Sequence, residues 1–128
     1  MSEVVLDASA VLAMLRDEPG GNEVASFIGR ALISAVNLQE VAKDMLREGV
    51  PIGDVRTVLD ELALHVHDHD REAAYTAAAL YEATKQYGRG LGDRSCMALG
   101  IQLGLPVLTA DREWKRVEVE RLELRHLR

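Results

Sequence analysis

The stretch Val4-Val5-Leu6-Asp7 sets the pattern of this 128-residue chain, because three apolar residues lead directly into an acid. A similar stretch lies near the other end, where Pro106-Val107-Leu108-Thr109 is followed two residues later by Asp111. Short apolar runs of this kind are typical of strands buried in a parallel sheet. Because sites in such sheets lie at the carboxyl ends of the strands, both acids stand where a functional site is expected.

Strands and helices are predicted to alternate between these two segments. Apolar residues recur on one face of a helix from Val36 to Arg47. Gly49 marks the end of this helix, and Pro51 marks the start of the next one. This alternation predicts an α/β fold, with a central, mainly parallel sheet and helices on both faces. The other predicted strands are 31–34, 64–66 and an edge strand at 122–124, and the other predicted helices are 10–16, 22–29, 51–62, 71–87 and 93–103.

The composition predicts one folded domain over residues 1–128. Hydrophobic residues make up 48% of the chain, yet no apolar run approaches the ~20 residues of a membrane helix. The amino terminus lacks the basic and apolar regions of a signal peptide, so we expect a cytoplasmic protein without a membrane partner. The one cysteine, Cys96, lies among apolar residues, which predicts a buried small hydrophobic side chain rather than a catalytic thiol.

The net charge of -6 argues against broad binding to duplex nucleic acid, which relies on a basic face. It does not exclude a nuclease, because a carboxylate cluster that holds metal ions contributes negative charge of its own.

Four carboxylates are the candidate functional residues. Taken singly, Asp7, Asp93 and Asp111 each precede or open a helical segment, where Asp is a common cap. Glu40 follows Asn37 by three residues, which is a capping-box spacing. Taken together at strand ends and helix starts, the four would form an oxygen-rich cluster that suits Mg²⁺ or Mn²⁺. Such ions activate water and stabilise the charge that develops on a phosphodiester.

Four segments in order resemble the sequence motifs of PIN domains, and the likeness covers nearly the whole chain. Its closest form is the VapC-type toxin of prokaryotic toxin–antitoxin pairs. The segments are Asp7-Ala8-Ser9-Ala10, Ile33-Ser34-Ala35-Val36-Asn37-Leu38-Gln39-Glu40-Val41, Leu91-Gly92-Asp93-Arg94-Ser95-Cys96-Met97-Ala98-Leu99 and Leu105-Pro106-Val107-Leu108-Thr109-Ala110-Asp111-Arg112-Glu113-Trp114.

The resemblance implies a PIN-like three-layer α/β/α sandwich and a Mg²⁺- or Mn²⁺-dependent endoribonuclease. Ser9 and Thr109 match the family's small hydroxyl positions near the site, although Ser9 also suits a helix cap. Arg112 is a candidate for contact with a phosphate of the RNA substrate. Alternatively, Arg112 is a solvated arginine at the surface without a functional role. The acids that the resemblance assigns to catalysis and metal binding are Asp7, Glu40, Asp93 and Asp111.

The resemblance also implies a cognate antitoxin protein and a homodimer. An antitoxin arginine inserted between Asp7 and Asp93 would displace the catalytic ions, because a guanidinium pairs with carboxylates in a fork. A partner helix would need apolar surface, for which segment 10–29 is the candidate. Its apolar residues serve either a partner or the core, and they are Leu12, Leu15, Val24, Phe27 and Ile28.

Three alternative functions compete with the nuclease. A PIN fold that binds without catalysis is the main one, and the presence of all four acids argues against it. Phosphoaspartate chemistry fits poorly, because a dehalogenase-like phosphatase needs Asp where Ser9 stands and a receiver domain needs Lys soon after Thr109. The third is a zinc site formed by His65, His67 and His69. These histidines are interpreted instead as surface residues of an edge strand.

Overall fold

A computed structural model describes residues 2–128 of the chain. Its five strands form one sheet in the order β3-β2-β1-β4-β5, and every neighbouring pair is parallel. The predicted α/β class and parallel sheet are therefore confirmed. The strands are β1 (Val4–Leu6), β2 (Ala31–Ser34), β3 (His65–His67), β4 (Val107–Thr109) and β5 (Leu124–His126).

Helices connect the strands, as parallel pairing requires. Asp7 caps the first helix and Ser34 the third, each by accepting a hydrogen bond from a backbone N–H of the first turn. The α-helices are α1 (Ala8–Leu15), α2 (Gly21–Ala25), α3 (Ala35–Arg47), α4 (Ile52–Glu61), α5 (Arg71–Ala78), α6 (Tyr81–Thr84) and α7 (Leu91–Leu103). A 3-10 helix at Arg112–Arg116 follows β4.

Alternate residues of the central strands face two separate cores, which gives the three-layer α/β/α sandwich. Val4 and Leu6 pack under α1, α2 and α3, whereas Val5 packs on the opposite face with Met97 of α7 and Trp114. All five of these side chains are fully buried. Because both faces are covered, the central strands are apolar up to their last residues rather than alternating between apolar and polar residues.

The helix predicted at 71–87 is wrong in extent, because the chain breaks it into α5 and α6. Between them the Leu80 N–H bonds to the carbonyl of Ala77, an i to i−3 contact that tightens the turn. This turn brings Leu80 into the core, and Thr84 ends α6 with its hydroxyl donating back to the Leu80 carbonyl at 2.6 Å. The buried face nevertheless continues across the break, from Ala77 through Leu80 to Thr84.

The two outer strands are displaced from their predicted positions, by one residue for β3 and by two for β5. Both lie at sheet edges and are partly exposed, so their apolar pattern is weak. In segment 10–29, Leu12 and Val24 are core residues, and Leu15 and Phe27 pack against them. The core interpretation is therefore correct for these four. No helix between residues 2 and 128 has both the length and the apolar character needed to cross a bilayer.

Candidate functional site

The site lies at the carboxyl edge of the sheet, between β1 and β4. The chain runs from β1 outward to β2 and β3, then returns to place β4 on the other side of β1. This reversal opens a crevice at the strand ends, the usual location of sites in open parallel sheets. Asp7 directly follows β1, and Thr109 is the last residue of β4.

Asp7 is a buried carboxyl with a dense set of donors. Its Oδ1 accepts from the Ala10 N–H at 2.8 Å and from the Ser9 hydroxyl at 2.7 Å. Its Oδ2 accepts from the Thr109 hydroxyl at 2.6 Å. Burial raises the pKa of Asp7 to about 6, although the donors from Thr109, Ser9 and Ala10 oppose the rise and the negative charge of Asp93 adds to it.

Ser9 and Thr109 connect this carboxyl to the backbone beyond β4. The Ala110 N–H donates to Ser9 Oγ at 2.9 Å, and the Asp111 N–H donates to Thr109 Oγ1 at 3.0 Å. Each hydroxyl accepts from the backbone and so directs its own proton toward Asp7. The two residues therefore fix the orientation of the Asp7 carboxyl relative to the segment that carries Asp111.

Asp93 stands in the first turn of α7, at the third helical position rather than at the helix start. Its Oδ2 accepts from the backbone N–H of Gly90 at 3.2 Å. Burial raises the pKa of Asp93, and the charges of Asp111 and Glu40 raise it further, while the Gly90 hydrogen bond opposes the rise. The charge of Asp93 in turn raises the pKa of Asp7, so Asp93 interacts electrostatically with each of the other three acids.

Glu40 is held against the beginning of α7. Its Oε1 accepts from the side-chain amide of Asn37 at 2.8 Å, and the same nitrogen donates to the Gly92 carbonyl at 2.9 Å. A β-carbon on Gly92 would overlap the Glu40 carboxylate, so the missing side chain makes room for it. The capping-box interpretation of Asn37 is wrong, because Ser34 caps α3 and Asn37 donates along the helix instead.

Two surface cavities adjoin the acids. One of about 460 Å³ is lined by Glu40 and Asp93 together with Lys43, Leu91 and Gly92. The other, of about 520 Å³, is lined by Ser9, Asp111, Arg112 and Arg128. Asp111 is half-buried and caps the 3-10 helix through the Glu113 N–H, at 3.0 Å, while Arg112 is exposed.

Hard divalent cations fit the donor chemistry of this site. The four acids offer only oxygen ligands, which Mg²⁺ and Mn²⁺ prefer. None of them forms an ion pair within residues 2–128, so no cationic side chain of that range neutralises them by direct contact. No three His, Cys, Asp or Glu side chains of the same range lie close enough to share one ion. At these separations an ion would be held by one or two carboxylates, with water as its other ligands, which is a coordination that suits Mg²⁺.

Two further sequence interpretations concern residues outside the acidic cluster. His65 and His67 belong to the edge strand β3, as expected, and the Nδ1 atom of His69 lies 3.1 Å from the buried hydroxyl of Ser95. Cys96 is fully buried, as predicted, and burial raises the pKa of its thiol.

Two buried polar groups beside the acids are not among the residues predicted from the sequence. Asn37 is 1% exposed, and Trp114 is fully buried with its indole N–H near enough to Asp93 to lower the pKa of that carboxyl. Within residues 2–128, Asn37 Oδ1 and Trp114 Nε1 are the buried side-chain atoms that lack a hydrogen-bond partner of normal geometry. An Asn three residues before a Glu inside a helix was the available signal for the first, because side chains at this spacing are neighbours.

Comparison with known proteins gives one family match. The model of the PIN domain family matches residues 4–120. No protein of curated function matches the chain in sequence.

Solved structures share this fold at low sequence identity. A chain in the crystal structure of DNA-bound VapBC from Salmonella typhimurium matches with a TM-score of 0.75 and 20% identity, covering 99% of both chains. One in VapBC2 from Rickettsia felis, bound to a promoter DNA fragment, has a TM-score of 0.71 and 18% identity, with coverage of 96% and 97%. One in VapBC-5 from Mycobacterium tuberculosis, a VapBC-family toxin–antitoxin system, has a TM-score of 0.67 and 22% identity, with coverage of 98% and 99%.

Proposed function

This chain belongs to the PIN domain family, and from that membership we propose that it is a metal-dependent endoribonuclease that acts as a toxin. The observation that supports this function best is the group of acidic side chains at the edge of the sheet. Four carboxylates from four separate segments couple electrostatically through Asp93, and none has a cationic side chain as its partner within residues 2–128. Uncompensated carboxylates in a crevice favour binding of cations.

Glu40 and Asp93 are the carboxylates best placed to bind Mg²⁺ or Mn²⁺, because they line one cavity that is open to solvent. Asp7 and Asp111 complete the proposed set from the ends of β1 and β4. When bound, the ion supplies positive charge that stabilises the reacting phosphodiester and lowers the pKa of water. Ser9 and Thr109 orient the Asp7 carboxyl, and the buried setting of this carboxyl excludes water around it.

Cations beside the acids favour a polyanionic substrate. Lys43 lines the cavity of Glu40 and Asp93, and Arg112 and Arg128 line the cavity of Asp111. In this proposal each contacts a phosphate next to the acidic centre, whereas the overall charge of -6 opposes extensive nonspecific binding. A short stretch of single-stranded RNA fits such local contacts better than a long duplex does.

The toxin role rests on the fold shared with chains of VapBC complexes. In those structures the relatives are described as VapBC, and in one case as a toxin–antitoxin system. By analogy, this chain would bind a cognate antitoxin and form a homodimer in the cytoplasm. A partner arginine would compete with the metal for Asp7 and Asp93, since both sites demand positive charge. Co-purification with the product of the adjacent gene, followed by assay of RNA cleavage, tests this part separately.

Cleavage of a mixed RNA pool by the purified protein tests the nuclease assignment. Wild-type protein is expected to cut RNA with Mg²⁺ or Mn²⁺ and to stop in excess chelator. Asp93→Asn should remove activity, because it deletes a carboxylate that couples to the other three. Asp54→Asn is the matched control, since Asp54 is an exposed acid in the first turn of α4.

Two results would contradict the proposal. Full activity in chelator would exclude a metal requirement. Folded wild-type protein that neither cuts RNA nor binds Mn²⁺ would instead favour a PIN-fold binding module without catalysis.

A further inference from the structure

Asn37 occupies an unusual position for its residue type. It lies inside α3 and is 1% exposed, although Asn competes with helical hydrogen bonding and is unfavourable in helix interiors. Its Nδ2 uses both protons, one for Glu40 Oε1 at 2.8 Å and one for the Gly92 carbonyl at 2.9 Å. The side chain therefore connects a carboxylate of α3 to the first turn of α7.

This connection joins the elements that carry two of the four acids. Gly92 directly precedes Asp93, so the amide ties Glu40 to the segment that holds Asp93. The two carboxylates line the same cavity, and the charge of Glu40 raises the pKa of Asp93. Repulsion between them would turn the flexible Glu40 side chain toward solvent unless a donor held it in place.

The side-chain amide of Asn37 also raises the free energy of the folded state. Asn37 Oδ1 is buried without a hydrogen-bond partner, and an unsatisfied buried acceptor destabilises the folded state. An apolar side chain of equal size would avoid that cost. Asn37 thus holds Glu40 and the Gly92 carbonyl through its amide nitrogen while its amide oxygen stays without a partner.

We propose that Asn37 is a positioning residue, which holds the Glu40 carboxylate beside Asp93 and so prepares the pair to bind a divalent cation. This inference rests on the proposed function, because it concerns the metal affinity of the same site. Asn37 acts through Glu40 and contacts neither the ion nor the RNA. Loss of a group that orients a metal ligand typically lowers metal affinity by 10–100-fold.

Direct Mn²⁺ binding to the full chain, measured by calorimetry, tests the proposal. Asn37→Leu keeps the size of the side chain and removes both the donors and the unpartnered oxygen. We expect it to bind Mn²⁺ at least about tenfold more weakly. Its thermal midpoint in chelator should stay close to that of the wild type, because the loss of two hydrogen bonds and the removal of a buried unpartnered oxygen have opposite effects on stability. Asn22→Leu, at an exposed position of α2, is the control and should retain wild-type affinity.

A double-mutant cycle with Glu40→Gln separates positioning from a general effect on the site. If Asn37 acts through Glu40, Asn37→Leu weakens binding in the wild-type background and has little further effect beside Glu40→Gln. Asn37→Ala is measured in parallel and replaces Asn37→Leu in the cycle if the leucine variant does not fold.

Three results would overturn the inference. Wild-type affinity in both Asn37 variants would do so while leaving the proposed function intact. An equal loss in both backgrounds would show that Asn37 does not act through Glu40. Absence of Mn²⁺ binding by the wild type would overturn the inference and the metal-dependent function together.

Discussion

Thr109 donates a hydrogen bond of 2.6 Å to the Asp7 carboxyl, across 102 positions of sequence. The bond joins the end of β4 to the end of β1, two strands that pair directly at the centre of the sheet. It connects the first and the last of the four acidic segments, because the Asp111 N–H donates to the same hydroxyl. The pairing of β1 with β4 and the hydrogen bond from Thr109 therefore both fix the position of the Asp7 carboxyl. Substitutions at Asp7 and Thr109 test this arrangement.

Asp7→Asn should stabilise the metal-free protein near neutral pH. The pKa of Asp7 is raised from 3.8 to about 6, so the folded state binds this proton more tightly than the unfolded state. The resulting stabilisation is present below about pH 4 and is lost as the pH rises through about 6. At about pH 8 the variant should therefore gain up to about 3 kcal/mol relative to the wild type, at 1.36 kcal/mol per pKa unit.

Denaturant unfolding in chelator, repeated between about pH 4 and pH 8, measures this gain. The difference between variant and wild type should shrink toward the acid end. A variant that is less stable at every pH would contradict the sign.

Thr109→Val should have the opposite effect on stability. The substitution keeps the shape but removes the strongest donor to Asp7 and leaves the Asp111 N–H without its acceptor. We expect a loss of about 1–3 kcal/mol and a further rise in the pKa of Asp7. Equilibrium unfolding and NMR titration of the carboxyl measure the two effects. Thr57→Val removes an exposed hydroxyl contact to the Gly53 carbonyl in α4, and it should cost little.

Gly92→Ala should impair the site without unfolding the protein. The new β-carbon would overlap the Glu40 carboxylate, and that group is the end of a flexible side chain that is able to move away. We expect Mn²⁺ affinity to fall about tenfold, as for the loss of a group that orients a ligand. Gly53→Ala in α4 meets nothing within 4 Å, so this control should keep full affinity and gain up to about 1 kcal/mol. Equal affinity in the two variants would refute the steric argument.

Arg112→Gln should weaken binding of RNA but not of metal. Arg112 is exposed beside Asp111, where it is available to one phosphate. Losing one phosphate contact should lower the slope of log affinity against log salt by about 0.7 for a single strand. Titration of catalytically inactive Asp93→Asn protein with labelled RNA at several salt concentrations gives the slope. Arg71→Gln, at an exposed position of α5, should leave it unchanged.

The central part of the fold was predictable because its strands are apolar on both faces. β1, β2 and β4 lie where the apolar runs predicted them, whereas the outer strands β3 and β5 are displaced along the chain. Edge strands bury fewer side chains, so their register depends on pairing with a neighbour that the sequence does not display. The break after α5 has no signal in the apolar pattern, because the buried helical face continues across it through Leu80 and Thr84.

Motif order predicts the four acids as a set, and this assignment stays a prediction, whereas no motif indicates the contacts that support them. Ser9 and Thr109 stand close to acids in sequence, and both contact Asp7. Asn37 was assigned to a cap because its partner Gly92 lies 55 positions away and becomes a neighbour only when α3 packs on α7.

The buried indole of Trp114 gives the protein an internal optical probe. It is the single tryptophan of the chain, fully enclosed and adjacent to Asp93, so its fluorescence originates from one place beside the acids. Emission from an indole in this apolar enclosure lies at short wavelength and shifts to the red when water reaches the ring. A change of charge at Asp93 alters the electric field across the same ring. Unlabelled protein therefore carries a signal for opening of the core and for a change of charge at Asp93.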